Sequence, residues 1–139
     1  MQLTSLVSLL AVAVAPALAA NFNVNVGANN GFVFSPTSIS GAVAGDTISF
    51  SFTSRNHSAT TTTFTSPCPP PPGGVGPNGF DTGFHVAPGS AVVTLRDSGT
   101  HFISCMQAAG AHCRMGMVFV INPTATQSVA AFQANARAS

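Results

Sequence analysis

Hydrophobic and polar residues alternate along the first part of the chain with the period of a β-strand. The segment NFNVNVG at 21–27 places its Phe and Val residues on one face and Asn on the other. Such period-two alternation is typical of a strand that buries one face. The segment GDTISFSFT at 45–53 repeats the pattern after a Gly-Asp pair typical of a turn. Short apolar runs predict further strands at 32–36, 91–95, 100–105 and 117–121.

Several short strands separated by Gly, Pro, Asn and Asp predict an all-β fold, an antiparallel sandwich or barrel. Residues 66–84, SPCPPPPGGVGPNGFDTGF, are too rich in proline and glycine for regular structure. A loop of this length inside a compact domain is usually functional or held in place, and Cys68 within it suggests a cross-link. Near the end of the chain, Ser128 is predicted to cap a short helix through VAAFQANAR.

The N-terminal segment, residues 1–20, is predicted to be a secretory signal peptide. It is an apolar run that closes on Ala17-Leu18-Ala19, a small-x-small cleavage signature. A transmembrane anchor is the alternative, but the apolar stretch has roughly a dozen residues and a spanning helix needs about 20. No later segment is predicted to span a membrane. We therefore expect a secreted, extracellular protein, with retention in the cell wall left open.

Composition narrows the classes of function. Of the 139 residues, 45% are hydrophobic, which is enough to fill the core of one domain. Charged residues make up only 5%, lysine is absent and the net charge is +1. Such a chain has no basic stripe for nucleic acid and no acidic patch for a cationic partner. We expect a monomer with a domain over 21–122 and a C-terminal tail with a short helix over 123–139.

Chemically active side chains are concentrated at 105–117, CMQAAGAHCRMGM. This segment begins where one predicted strand ends and stops where the next begins, so it is predicted to be a loop. A further histidine, His57, follows the strand SFSFT, and the loops at one end of a Greek-key sandwich cluster. Two imidazoles, one thiolate and a weak axial thioether are the ligands of a type 1, or blue, copper site. Thiolate stabilises Cu(I) and imidazole binds both oxidation states, so this set suits exchange of one electron.

The chain resembles the cupredoxins, in particular the small secreted fungal cupredoxin-like proteins and the plant phytocyanins. The segments that carry the resemblance cover nearly all of 21–136: FVFSPTSI, GDTISFSF, NHS, SPC, GFDTGF, HCRMGMVFVIN and SVAAFQANA. The resemblance implies a Greek-key β-sandwich and one copper ion. The implied ligands are His57, Cys105, His112 and, five residues past His112, Met117.

Two features of the ligand loop remain open. The gap between the cysteine and histidine ligands is six residues, against four commonly found in this group, so residues 107–111 should bulge or the loop should differ. The phytocyanins usually carry Gln at the axial place, so Met117 makes the site more similar to that of plastocyanin. Met115 and Met106 are the alternative axial ligands, although Met106 should face the opposite way.

The resemblance also implies a disulfide between Cys68 and Cys113, which leaves Cys105 as the thiolate. Chain entropy favours the same pairing. Closing a loop of about 45 residues stabilises the fold by roughly 4 kcal/mol, whereas a Cys105–Cys113 bond would contribute about 2.5 kcal/mol. The short-loop pairing would also remove the thiolate.

The remaining histidines and one asparagine have other expected roles. His85 and His101 are expected to be surface or sheet residues rather than ligands. The tripeptide Asn56-His57-Ser58 matches the acceptor pattern for N-glycosylation, so Asn56 is a candidate site for a glycan.

The predicted function is one-electron transfer by a single copper ion outside the cell, without enzymatic activity. An unidentified redox partner is expected to dock near His112, whose ring edge should be exposed on the apolar patch 108–111. A protein that sequesters or delivers copper would use the same ligands, and a cell-surface structural module would keep the fold without metal. A multicopper oxidase needs paired His-x-His motifs for its trinuclear cluster, and none of the four histidines forms such a pair.

Overall fold

The structure is a computed structural model that describes residues 11–139. It contains two α-helices, a short 3-10 turn at Ala28–Asn30 and ten β-strands. The strands are β1 Asn21–Val26, β2 Phe34–Ser35, β3 Ser38–Ile39, β4 Thr47–Phe52, β5 Asn56–His57, β6 Thr60–Thr62, β7 His85–Val86, β8 Gly89–Thr94, β9 His101–Ser104 and β10 Val118–Ile121. The helices are α1 Ala111–Arg114 and α2 Val129–Arg137.

Two four-stranded sheets form a β-sandwich. The strand order is β2-β1-β4-β8 in the first sheet and β3-β10-β9-β6 in the second, while β5 and β7 form a separate pair. The chain passes from β2 in the first sheet to β3 in the second and returns to β4 in the first. Connections that cross between two sheets are typical of a Greek-key sandwich. The predicted fold class is confirmed.

The direction of some strands differs from the antiparallel arrangement expected from the sequence. Strand β1 runs parallel to β4, with Phe22 opposite Ile48, and β10 runs parallel to β3. Alternation of apolar and polar residues is the same for a parallel and an antiparallel neighbour. The pattern therefore identified β1, β4 and β10 as strands, and the crossing connections decided their direction.

The main core lies between the two sheets. In β4, Ile48, Phe50 and Phe52 are buried and the polar residues between them are half-buried. All four residues of β10 are buried instead, because α2 covers the outer face of this strand. Phe132 of α2 packs there against Val120. The continuous apolar run of β10 is thus the sequence of a strand buried on both faces.

The helix predicted near the C-terminus is α2, and it begins as the sequence indicates. The Ser128 hydroxyl accepts a hydrogen bond from the Ala131 N–H at 3.2 Å. This side chain satisfies one of the free N–H groups at the start of the helix. The cap fixes where α2 begins, so that its apolar face meets β10.

The sequence did not predict β6, because a run of threonines looks polar. Its three residues are nevertheless buried. The Thr60 hydroxyl donates to the Asp81 carboxylate at 2.9 Å, and the Thr61 hydroxyl to the Phe80 carbonyl at 3.1 Å. These bonds satisfy the buried hydroxyls and attach the proline- and glycine-rich loop to the second sheet. As predicted, residues 66–84 contain no strand.

In the segment before β1, residues 11–20 are exposed and have no regular secondary structure. The first ten residues of the predicted signal peptide lie outside the described residues. Among residues 11–139, no helix has both the length and the apolar character needed to cross a membrane.

Candidate metal centre

Three side chains predicted to bind copper converge in the structure. His57 lies in β5, Cys105 directly follows β9 and His112 lies in α1. The two histidine Nδ1 atoms are 3.1 Å apart, and each is 3.7 Å from the Cys105 Sγ. A point in the plane of these three atoms lies about 2.0 Å from each, the usual length of a bond between zinc and imidazole nitrogen. The triangle therefore has the size of a trigonal metal site.

The three donor groups are largely shielded from water. His57 and Cys105 are completely buried, and His112 is half-buried. Among the described residues, this is the one cluster of three His, Cys, Asp or Glu side chains close enough to hold a metal ion. The donors, a thiol and two imidazoles without a carboxylate, favour a soft transition metal over Ca²⁺ or Mg²⁺.

Burial keeps both imidazoles neutral. It lowers the pKa of His57 to about 4, with smaller contributions from His112 and from the Arg55 guanidinium. Burial, and then Arg55, lowers the pKa of His112 as well. Desolvation raises the pKa of the Cys105 thiol, and hydrogen bonds from Ser58 oppose this in part. At neutral pH each imidazole therefore keeps a nitrogen lone pair that a metal can use.

Burial also distinguishes the three methionines considered as axial ligands. Met117 is completely buried in the same hydrophobic cluster as Cys105. Its N–H donates to the His112 carbonyl at 3.2 Å, which joins it to α1. Met115 is 55% exposed, and Met106 is half-buried. Of these three methionines, Met117 alone is buried in the cluster that contains the thiol.

The six residues between the cysteine and histidine ligands form a closed turn. The Gly110 N–H donates to the Met106 carbonyl at 3.1 Å. Ala108, Ala109 and Gly110 have positive φ angles of 53, 52 and 86°. The one-turn helix α1 follows and returns His112 to the vicinity of the thiol. The extra length is therefore taken up by a left-handed bulge and does not separate the ligands.

Cys68 and Cys113 form the predicted disulfide, with Cα atoms 5.7 Å apart and 45 residues of sequence separation. Cys105 is the remaining cysteine of the three and is free. Cys113 directly follows the second histidine, and Gly110 packs so closely on Pro69 that a Cβ there would lie 2.9 Å from its Cα. The disulfide thus holds the proline-rich loop against the ligand loop.

The unused nitrogen of His57 shows how tightly this ring is enclosed. Its Nε2 is buried without a hydrogen-bond partner among the described residues. A Cβ added at Gly27 would lie 2.9 Å from that nitrogen and also close to the Ser54 carbonyl. Since the other nitrogen, Nδ1, faces the thiol, the ring has one orientation in which it meets the other donors.

We expect Gly27→Ala to displace the His57 ring and to lower the affinity for metal about 10- to 100-fold, the usual cost of disturbing a ligand's support. Gly41→Ala is the matched control. Gly27 and Gly41 have similar positive φ angles, 82 and 74°, but a Cβ at Gly41 meets nothing within 4 Å. Titration with Cu(II) should separate the two variants, and equal affinities would contradict this role of Gly27.

Three neighbours of the site were not identified from the sequence. The Phe32 ring packs on His112 with ring centroids 4.5 Å apart, and the Arg55 guanidinium lies 5.0 Å from the Phe32 centroid. The Ser58 N–H donates to the Cys105 Sγ at 3.5 Å. Arg55 and Ser58 flank the first histidine ligand in sequence, which could have indicated them. Phe32 comes from the segment before β2, and only the fold shows its position.

His85 and His101 are engaged elsewhere. The His85 ring stacks on Phe52 at a centroid distance of 4.5 Å. The His101 Nε2 lies 2.6 Å from the Asp97 carboxylate. As expected, neither belongs to the three-residue cluster.

Asn56, the candidate glycosylation site, already has a structural contact. Its Nδ2, the atom that would carry a glycan, donates to the Gln107 Oε1 at 3.2 Å. This bond joins β5 to the ligand loop. Glycosylation of Asn56 would replace the contact, and it stays a prediction.

Comparison with known proteins gives matches among solved structures. No protein-family model and no curated protein sequence matches the chain. Pseudoazurin from Hyphomicrobium denitrificans is 25% identical with a TM-score of 0.52, and the match covers 74% of each chain. Pseudoazurin from Methylobacterium extorquens AM1 is 22% identical with a TM-score of 0.53, covering 79% of this chain and 80% of that one.

A third match is auracyanin A from Chloroflexus aurantiacus, a "blue" copper protein. It is 12% identical with a TM-score of 0.51, and the match covers 75% of this chain and 98% of that one. At these identities the likeness rests on the arrangement of strands. By its fold, the chain is a member of the cupredoxin superfamily.

Proposed function

We propose that the chain is a secreted type 1 copper protein that carries single electrons. The observation that supports this most is the cluster of one thiol and two neutral imidazoles, whose donor atoms all lie within 4.8 Å of one another. Two nitrogens, one sulfur and a weak thioether are the donors that copper uses in electron-transfer sites. The fold shared with auracyanin A, a blue copper protein, agrees with this function.

The proposed ligands are His57, Cys105, His112 and Met117. The Cys105 thiol loses its proton when it binds a metal, whereas both imidazoles are already neutral. The Ser58 N–H, aimed at the sulfur, stabilises the resulting thiolate. When bound, copper supplies the Cu(I)/Cu(II) couple that exchanges one electron.

Hydrogen bonds hold the donors in place from both sides of the site. The Ser58 hydroxyl accepts the Met106 N–H at 2.9 Å, which joins the segment after β5 to the residue after Cys105. The Asn56–Gln107 bond makes a second connection, from β5 to the ligand loop. Because these bonds fix the donors, the ligands need to move little when the charge of the metal changes. A small rearrangement is what rapid electron transfer requires.

We propose that electrons pass through His112, the half-buried imidazole. Exposed apolar side chains lie on both sides of His112 in the chain: Ala108, Ala109 and Ala111 before it and Met115 after it. Gly110, which was expected in this patch, is buried instead because it packs on Pro69. The patch has no acidic residue, and the exposed Arg114 beside it donates to the Ala109 carbonyl at 3.0 Å. A redox partner would therefore dock mainly by apolar contact, next to one positive charge. We expect the protein itself to be monomeric.

The disulfide supports export of the chain. Structural disulfides persist in oxidising compartments and are rare in the cytosol. Cys68–Cys113 is such a bond, since it joins the long loop to the core next to the metal site. Together with the predicted signal peptide at 1–20, it favours an extracellular protein.

Titration of the refolded protein with Cu(II) tests the proposal. We expect one equivalent to bind and to give an intense blue charge-transfer band with a narrow copper hyperfine splitting, both signatures of a thiolate in a trigonal site. A pale product with a tetragonal spectrum would contradict a type 1 site. Absence of binding would favour the alternative of a metal-free structural module.

Reduction of the loaded protein separates electron transfer from copper storage. A carrier should be reduced and reoxidised repeatedly without loss of metal. A protein that sequesters or delivers copper would release the ion on reduction or pass it to a chelator. Cyclic voltammetry, with the metal content measured before and after, distinguishes these outcomes.

Met117→Gln tests the axial ligand. An amide oxygen binds Cu(II) more strongly than a thioether does, so the reduction potential should fall, by about 59 mV for each ten-fold gain in the affinity for Cu(II) over Cu(I). Met115→Gln is the matched control, since its side chain is 55% exposed, and it should leave the potential unchanged. If Met115→Gln alone lowered the potential, the axial assignment would move to Met115.

A further inference from the structure

Asp46 is a buried acid without a cationic partner. Its side chain is 4% exposed. Oδ1 accepts the Ala20 N–H at 2.8 Å, and Oδ2 accepts the Val43 N–H at 2.9 Å. Within residues 11–139, the one close contact between a basic and an acidic side chain joins His101 and Asp97, so no basic side chain lies against the Asp46 carboxylate. A carboxylate removed from water without a cation is costly to the fold.

Charged groups close to Asp46 in the fold are engaged elsewhere. The Leu95 N–H donates to the Asp46 carbonyl at 2.8 Å, which brings the segment after β8 alongside. In that segment Arg96 donates to a carbonyl of the long loop, and Asp97 is bonded to His101. The polar group that faces Asp46 Oδ1 is therefore the backbone nitrogen of Ala20.

Among residues 11–139, Ala20 is the first whose backbone is hydrogen-bonded to the sandwich. Its carbonyl accepts the Thr47 N–H at 2.9 Å and continues the β1–β4 pairing by one bond. Residues 11–19 are exposed and have no regular structure, with Val12 82% and Leu18 94% exposed. The Ala19–Ala20 bond thus joins an accessible segment to a residue held by the fold.

The sequence around this bond matches a peptidase that prefers small residues. Cleavage after Ala19 puts alanines at the first and third positions before the bond, Ala19 and Ala17. The signal peptide would then end at Ala19, one residue before the end of the 1–20 segment predicted from the sequence. Cleavage after Ala20 would put Leu18 at the third position. It would also remove the nitrogen that bonds to Asp46.

We propose that a signal peptidase hydrolyses the Ala19–Ala20 bond and that the new N-terminal ammonium of Ala20 forms an ion pair with Asp46. Water adds across the bond, so that Ala19 leaves as a carboxylate and the Ala20 nitrogen takes up protons to become an ammonium group. An α-amino group is largely protonated at neutral pH. The ammonium then supplies the missing charge at a position 2.8 Å from the carboxylate.

Because of this ion pair, removal of the signal peptide increases the stability of the folded domain. The uncleaved chain has one neutral N–H facing Asp46, whereas the mature chain has a charged group with three donors. Cleavage therefore stabilises the sandwich at the start of β4, which Asp46 directly precedes. The inference rests on the proposed export of the chain but not on copper binding.

The absence of lysine makes a direct experiment feasible. In the mature protein the α-amino group would be the sole primary amine, so an amine-directed acetylating reagent modifies that group alone. The protein is purified from a secreting host and sequenced from its N-terminus, and its thermal unfolding is measured without metal before and after acetylation. We expect a sequence that starts at Ala20 and a midpoint that falls by about 5 °C or more on acetylation.

Asp46→Asn is the matched variant, in which acetylation should leave the midpoint unchanged. A second measurement applies if this variant does not fold. The amine of the folded wild-type protein should react about ten-fold more slowly than that of the protein unfolded in urea, since the ion pair holds it protonated. A first residue other than Ala20, equal reaction rates, or equal effects of acetylation in both proteins would overturn the proposal. Titration with copper remains an independent test of the proposed function.

Discussion

Cys105→Ser is expected to abolish the blue absorption of the copper-loaded protein and to leave the metal-free fold in place. The intense band requires charge transfer from a thiolate, and a serine hydroxyl is neither deprotonated at neutral pH nor soft enough to stabilise Cu(I). The new hydroxyl would lie near the Ser58 N–H and the two histidine Nδ1 atoms, so it would have hydrogen-bond partners. We therefore expect a loss of stability of about 1 kcal/mol or less.

Absorption and electron paramagnetic resonance spectra during a Cu(II) titration measure the effect, and thermal unfolding without metal provides the control. His101→Ala is a matched ligand control, since this histidine pairs with Asp97 outside the cluster. It should retain the blue band. A band that survives in Cys105→Ser would exclude this thiolate, as would mass analysis that finds Cys105 in a disulfide.

Loss of the Cys68–Cys113 bond is expected to lower the free energy of unfolding by about 4 kcal/mol, the chain-entropy value for a loop of this length. The bond reduces the conformational entropy of the unfolded chain. In the folded protein it joins the proline-rich loop to the core. Urea unfolding should be measured on Cys105→Ser with and without reductant. In that background the disulfide cannot exchange with a third thiol.

The same change should also weaken the metal site. Cys113 directly follows His112, so release of the long loop frees one side of α1 from Pro69 and its neighbours. The comparison here requires Cys105, so the variant is Cys68→Ser with Cys113→Ser, titrated with Cu(II). We expect an affinity about ten-fold or more below that of the wild type. A stability loss under about 1 kcal/mol together with an unchanged affinity would show that the disulfide is not needed in this fold.

Patterns of neighbouring residues predicted the longer strands and the C-terminal helix, but not the short strands β3, β5, β6 and β7. Period-two alternation depends on which residues can face a core, and β1 and β4 show it in the sequence. The Ser128 cap depends on a hydrogen bond three residues away, so local sequence is enough to predict it. The candidate ligands of the loop could also be identified from local sequence, because thiol, imidazole and thioether lie within thirteen residues.

Contacts between residues far apart in the chain could not be predicted from such local patterns. The direction of β1 beside β4 depends on connections that cross between the sheets. Strand β6 is buried because distant Asp81 and Phe80 accept bonds from its threonines. The contact between the Phe32 and His112 rings likewise joins residues far apart in the chain.

The sequence by itself determined the longer strands, the capped helix and the donor types, since each depends on residue chemistry and short spacing. The pairing of Cys68 with Cys113, 45 residues apart, followed from the family resemblance and from chain entropy. Only the tertiary structure decided how His57 reaches Cys105 and His112 across 48 residues of sequence or more. It also decided that Met117, rather than Met115, is buried in the same hydrophobic cluster as the thiol. Distances between residues far apart in the chain arise from packing of two sheets around a shared core, and no local pattern encodes them.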